Sequence, residues 1–242
     1  MMTSPILSVD LAYKTFRDVG AVILRQEREE ISCELAPIPL SGDPDPDQLA
    51  QFLVEYCEAS HVRIILLDGP QGWKSGSNSL IHSRTCEREL NTPAKSGLPG
   101  CVKPENYRPF VEFSIAVFDA LSRLGWSRLP ASQAPLSEQG GTAVESFPLS
   151  AWRSLGIKAL PAKAKARPID LKSALESLMS LVPLRVAGTP SHDELQAIVA
   201  GLAGIALQGG RWDRCAVAGT PPVLEEGIWR EGFIIKPVRT SS

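Results

Sequence analysis

Two strand-like runs in this chain end in a carboxylate. Pro5-Ile6-Leu7-Ser8-Val9 leads to Asp10, and Ile64-Ile65-Leu66-Leu67 leads to Asp68, with Gly69-Pro70 closing the second run. Short apolar runs of this kind read as buried central strands. A carboxylate inside such a run is costly unless something satisfies it. A metal ion is one such partner and a buried hydrogen-bond network is another. The repeated design raises the metal reading, because a hard cation needs several oxygen ligands converging on one point. Asp68 could equally cap the Gly69-Pro70 turn, a position Asp favours.

The elements that must position these residues follow in order. Val19 to Arg25 reads as a second strand, and Glu30 to Ala36 alternates polar and apolar as a half-buried third strand. Short connections favour an antiparallel meander. A helix is expected over 47–60, with Leu49, Phe52, Leu53 and Tyr56 on one face. The strand ending at Asp68 then lies parallel to the first, since a helix separates it from the meander. Residues 71–104 are rich in Gly, Ser, Pro and Asn and read as a long functional or mobile loop with a short helix near 83–90. A helix is expected over 107–124, loop over 126–141, and a fifth strand over 142–148 carrying Glu145. A short helix over 149–155, a helix over 169–181 and a last helix over 191–207 follow. The small residues Ala197, Ala200, Gly201, Ala203 and Gly204 in that last helix suggest close packing on the sheet. The tail 232–237 reads as a short edge strand or an extended segment. Three strands, helix, strand, helix, strand, helices is the element order of the ribonuclease H-like fold. It gives an α/β fold class, with a five-stranded mixed sheet flanked by helices, over one domain spanning 1–242 with a loop insertion at about 71–104.

The bulk properties exclude several classes. With 242 residues and a formal net charge of −2, the chain has no overall attraction for nucleic acid, so such binding needs a local patch. No run of about 18 apolar residues exists to span a membrane. The start of the chain lacks the basic and apolar regions of a signal peptide. Five cysteines without tight spacing suit a reducing cytoplasm better than a disulfide framework. His82, Cys86 and Cys101 are too few and too widely spaced for a zinc site. No phosphate-binding glycine loop and no nucleophile elbow is present.

With Val9-Asp10-Leu11-Ala12, Leu67-Asp68-Gly69-Pro70, Arg84-Thr85-Cys86-Glu87, Glu145-Ser146-Phe147-Pro148 and His192-Asp193-Glu194-Leu195-Gln196-Ala197 in view, the chain resembles the DUF429 family. That family is described as predicted nucleases of the ribonuclease H-like superfamily. The resemblance implies a cluster of acidic residues at one sheet edge. It places Asp10 at the superfamily's first-strand metal-binding Asp, Asp68 at a second carboxylate, and Glu145 at the start of the Glu-x-Phe-Pro block. The last helix departs from the pattern. An Asp is expected where this chain has Gln196, and Asp193, three residues earlier on the same helical face, could stand in.

These residues suit phosphodiester hydrolysis, which needs an activated water and neutralised phosphate charge; two divalent ions supply both. The expected catalytic residues are Asp10, Asp68, Glu145 and Asp193, with Asp10, Asp68 and Asp193 holding Mg²⁺ or Mn²⁺. Arg84, on the 71–104 loop, is expected to meet a phosphate. Lys163 and Arg167 belong to a run of six basic residues between Arg153 and Lys172, set against the single acid Asp170, that could contact nucleic acid. Each residue has an alternative. Glu145 could pair with Arg153, Arg84 with Glu87 at i, i+3, and Asp193 could belong to a first helical turn capped by Ser191. The reading is a metal-dependent nuclease or phosphodiesterase acting on nucleic acid. Its rivals are a catalytically reduced module that binds nucleic acid or protein, and an ATP-dependent phosphotransferase of the same superfamily. A cytoplasmic location and no membrane partner are expected.

Overall fold

A computed structural model of the chain describes residues 4–134 and 140–239. Strands β1 (Ile6–Asp10), β2 (Gly20–Glu27) and β3 (Glu30–Leu35) form the expected meander. Helix α1 (Pro46–Ser60) starts at Asp45, whose side chain accepts from the Gln48 N–H, with Pro46 at its first turn. Strand β4 (Ile64–Asp68) then pairs in parallel with β1.

The loop expected over 71–104 contains ordered structure. Helix α2 (Thr85–Leu90) and the antiparallel pair β5 (Lys95–Ser96) and β6 (Val102–Lys103) lie within it. Helix α3 (Arg108–Arg123) leads to β7 (Ser127–Arg128), a short strand where only loop was expected; residues 135–139 of that expected loop lie outside the described residues. Strand β8 (Thr142–Ser146) pairs in parallel with β4. Helices α4 (Pro148–Ser154) and α5 (Pro168–Leu181), strand β9 (Leu184–Ala187) and helix α6 (His192–Gln208) follow. The chain closes with the hairpin β10 (Cys215–Glu225) and β11 (Ile228–Pro237).

The central order is β3-β2-β1-β4-β8, antiparallel across the meander and parallel from β1 onward. This is a ribonuclease H-like fold. The sheet is larger than the five strands expected. Strand β9 adds beside β3, and β11 and β10 add beyond β8. The tail is therefore not an edge strand: β11 sits between β8 and β10.

The central strands are apolar throughout because both faces are covered. Side chains alternate between faces. Ile6, Ile64, Leu66 and Val144 pack under α4, α5 and α6, while Leu7, Val9, Ile65, Leu67 and Ala143 pack under α1 and α3. Helix α6 lies close on the sheet, as its small residues suggest. A Cβ at Gly201 would lie 2.2 Å from Leu24 Cδ1, and one at Gly204 2.3 Å from Leu66 Cδ1. No helix among the described residues is long and apolar enough to cross a membrane.

Candidate active site

Asp10 and Asp68 end their strands in direct register, Asp10 opposite Asp68. Counting back by twos puts Asp10 on the face of Ile6 and Asp68 on the face of Ile64 and Leu66, the face α6 covers. The two carboxyl groups therefore meet on one side of the sheet, and they share a hydrogen bond. Burial pushes Asp10 well above the usual carboxylate range, and the charges of Asp68 and Asp193 push it further. Burial likewise raises Asp68, to about 7, although the hydrogen bond from Asp10 pulls the other way. The pair thus shares one proton near neutrality.

Asp193 reaches this pair through a close approach of backbones. Gly20 lies opposite Asp10 in β2. A Cβ there would sit 2.3 Å from the carbonyl carbon of Asp193, so only glycine admits the first turn of α6. That turn is fixed by a capping box: Ser191 Oγ accepts from the Glu194 N–H, and Glu194 Oε2 accepts from the Ser191 N–H at 2.6 Å. The Asp193 carboxylate is engaged twice. Lys163 donates to it, and His192 Nδ1 lies 3.1 Å from its Oδ1. Burial pulls Asp193 up, but its bonds to His192 and Lys163 outweigh that and hold it below the usual range. Lys163 also donates to Asp18 Oδ1 at 2.7 Å. Lys163 is close enough to Asp10 to oppose the rise in its pKa. Asp18 gave no sequence signal; it lies in a short turn whose fold alone brings it here.

Gln196 does not join the acidic group. Its Oε1 accepts the indole N–H of the fully buried Trp152 at 2.7 Å. The residue standing where the resembled family has an Asp therefore serves α4, and the nearby carboxylate is Asp193.

Glu145 lies one residue before Ser146, the residue in register with Asp68, so strand alternation turns it to the other face. Its partner is not Arg153 but Arg84, bound through Nη1 at 2.7 Å and Nη2 at 2.8 Å. Arg84 gives Nε and Nη2 to Glu87 Oε1 at 3.1 and 3.0 Å, and Nη1 also faces the Glu231 carbonyl at 3.5 Å. All five of its N–H groups are used and the residue is 0% exposed. The expectation of an arginine that meets phosphate from a mobile loop is therefore corrected: Arg84 ties α2 to β8. Glu87 also accepts from the Ser96 N–H at 3.0 Å. Glu231 accepts from the Ser75 N–H, the Asn78 side chain and the Thr85 N–H at 3.0, 2.8 and 3.0 Å. Arg167 stands exposed at the start of α5, where it pairs with Asp170.

Among the described residues, no three His, Cys, Asp or Glu side chains converge to hold an ion. The expected set of Asp10, Asp68 and Asp193 is thus two carboxylates together and a third held by Lys163. The pair itself fits a hard divalent cation. Its carboxyl groups are adjacent, and anionic when deprotonated.

A cavity of about 520 Å³ opens beside the pair. Asp68, Glu145, Arg84 and Asp18 line it, together with the rings of Tyr13, Tyr107, Phe110 and Phe147. Thr92, Pro93 and Ala94 bring the 71–104 segment to its wall, so that segment does lie beside the acidic edge.

The chain is similar in structure to Thermus thermophilus RuvC, at 11% identity over 89% of this chain and 98% of that one, with a TM-score of 0.43. It is also similar to T. thermophilus RuvC in complex with Holliday junction substrate, at 12% identity over 89% and 98%, with a TM-score of 0.40. No protein-family model matches the chain, and no curated protein matches it.

Proposed function

We propose that the protein is a divalent-metal-dependent phosphodiesterase acting on nucleic acid. The observation that carries this reading is the pair Asp10 and Asp68, two carboxylates in register on neighbouring parallel strands, sharing a proton at the edge of a cavity. Such pairs are expensive to keep in a structural role, and strongly raised carboxylates concentrate at functional sites. The ordered blocks that resemble DUF429 support the same reading.

A divalent ion held by Asp10 and Asp68 would neutralise phosphate charge and lower the pKa of a bound water. The chain's own residues do the rest. Asp10 gives up the shared proton when the pair takes a cation. Lys163, between Asp18 and Asp193, places a positive charge beside the pair where a phosphate would lie. Arg84 and Glu145 fix β8 and α2 as the cavity wall.

Calorimetric titration with Mn²⁺ in two buffers of different ionisation enthalpy should show binding with proton release. Cleavage of a labelled oligonucleotide should require the ion and vanish in Asp10→Asn and Asp68→Asn. If the protein takes up no divalent ion at millimolar concentration, the reading is lost. One observation favours the catalytically reduced, nucleic-acid-binding alternative: Asp193 is occupied by Lys163 and His192, and Gln196 by Trp152. Metal binding and strand binding without cleavage would establish it.

A further inference from the structure

We infer that the cavity beside Asp68 is a pocket for a nucleobase, so the site acts on an unpaired or flipped-out nucleotide. This rests on the phosphodiesterase reading for where the phosphate goes, but the pocket has its own grounds. Its volume of about 520 Å³ falls within the range of small-ligand pockets, roughly 300–1,000 Å³. Four rings line it, and those of Tyr13 and Phe110 lie 6.4 Å apart with planes tilted by 58°. Aromatic faces of this kind stack on any base, whatever its sequence.

The charges on the wall say which part of a nucleotide enters. Arg84 has no N–H to offer, since Glu87, Glu145 and the Glu231 carbonyl use all five. The acids Asp68, Glu87 and Glu145 would repel a phosphate placed inside. A neutral ring has neither problem. Two lysines lie toward the mouth: Lys14, an exposed lining residue, has its Nζ 5.6 Å from the Tyr13 ring centroid, and Lys163 is ion-paired to the cavity residue Asp18 and to Asp193. A strand would therefore run its backbone past these lysines and the Asp10–Asp68 pair, with one base turned into the pocket. A polar atom is also left over. Ser146, in register with Asp68, lines the cavity, and its buried hydroxyl has no hydrogen-bond partner. A paired, stacked base shows no free face to these rings, and taking it out of the duplex costs unstacking energy.

The test uses a short single strand carrying 2-aminopurine, and the same strand fully paired, with Ca²⁺ as the ion. The wild type should quench the unpaired 2-aminopurine and bind the single strand at least about tenfold tighter than the duplex. Ala94→Trp, which fills the cavity, should weaken single-strand binding by about tenfold while leaving Mn²⁺ affinity and melting temperature unchanged. Tyr13→Leu, which keeps bulk but removes one ring, should act in the same direction and carries the test if the tryptophan variant fails to fold. Equal binding of single strand and duplex without quenching, or no effect of either variant, overturns the pocket. A protein that binds Mn²⁺ but shows no base dependence loses the pocket and keeps the phosphodiesterase reading. One that quenches the base but binds no Mn²⁺ keeps the pocket and loses that reading.

Discussion

Two residues set the chemistry of the site through their effect on each other. Asp10 and Asp68 both have folded-state pKa values above the ordinary carboxylate range, Asp68 at about 7. Between about pH 4 and pH 7 the folded chain therefore binds more protons than the unfolded chain. Stability contributed by this pair is full below pH 4 and is lost as pH rises through 7. Melting temperature measured without divalent ions should fall over that window, and Mn²⁺ should restore it at pH 8. Asp10→Asn should stabilise the metal-free protein at pH 8 by about 1–2 kcal/mol, or ~2–4 °C, the Coulomb term being moderated by partial exposure. The same variant should lose its response to Mn²⁺. A flat pH profile would sink the shared-proton account. Gln196 makes a different prediction. An Asp there is one methylene too short to reach the Trp152 indole, leaving a buried N–H unpaired. Gln196→Asp should cost about 1–3 kcal/mol in denaturant unfolding and leave Mn²⁺ affinity unchanged. Tighter Mn²⁺ binding by this variant would show that position 196 belongs to the ion site.

At the scale of elements, α2 and the segment before it are held by buried charge. Arg84 bonds to both Glu87 and Glu145. Arg84→Met should destabilise by about 3–5 kcal/mol, because it strands two buried carboxylates. Adding Glu87→Gln and Glu145→Gln should recover much of that loss, which urea unfolding of the wild type, Arg84→Met and the triple variant would measure. If the triple variant were no more stable than Arg84→Met, the loss would have another cause. Little of this clamp was legible in the sequence. Arg84 and Glu87 are three apart and suggested a pair, but Glu145 lies 61 residues on, where spacing says nothing. The hairpin of β10 and β11 escaped notice for a local reason. Pro221-Pro222 breaks the alternation of β10, and the register shifts between Thr220 and Val223 where proline offers no N–H. The turn is Glu226-Gly227, both at positive φ (52° and 76°), as in a type I′ hairpin turn; Glu at the first position is not the usual signal.

For the whole molecule, the layered α/β plan was readable because its central strands are apolar on both faces and its helices carry clear stripes. The elements that enlarge the sheet beyond five strands were not, since β7 and β9 are short and half-exposed, and β9 owes its pairing to β3, far away in sequence. The site divides the same way. Asp10 and Asp68 showed themselves by their strand context. The company of Asp18, Lys163 and Asp193 depends on three segments meeting. The Glu231 carboxylate meets Ser75, Asn78 and Thr85 from 156, 153 and 146 residues further along the chain. A protein cut before Ile228 should keep its central sheet by circular dichroism, yet be cleaved by added protease within 71–85. Persistent protection of that segment would refute the clasp. On the ribosome this sets an order of events. The strands bearing Asp10 and Asp68 emerge before β10 and β11, and the cavity wall that includes Ile234 stays open until that hairpin is made. A nascent chain thus pairs its two acids before the cavity beside them is enclosed.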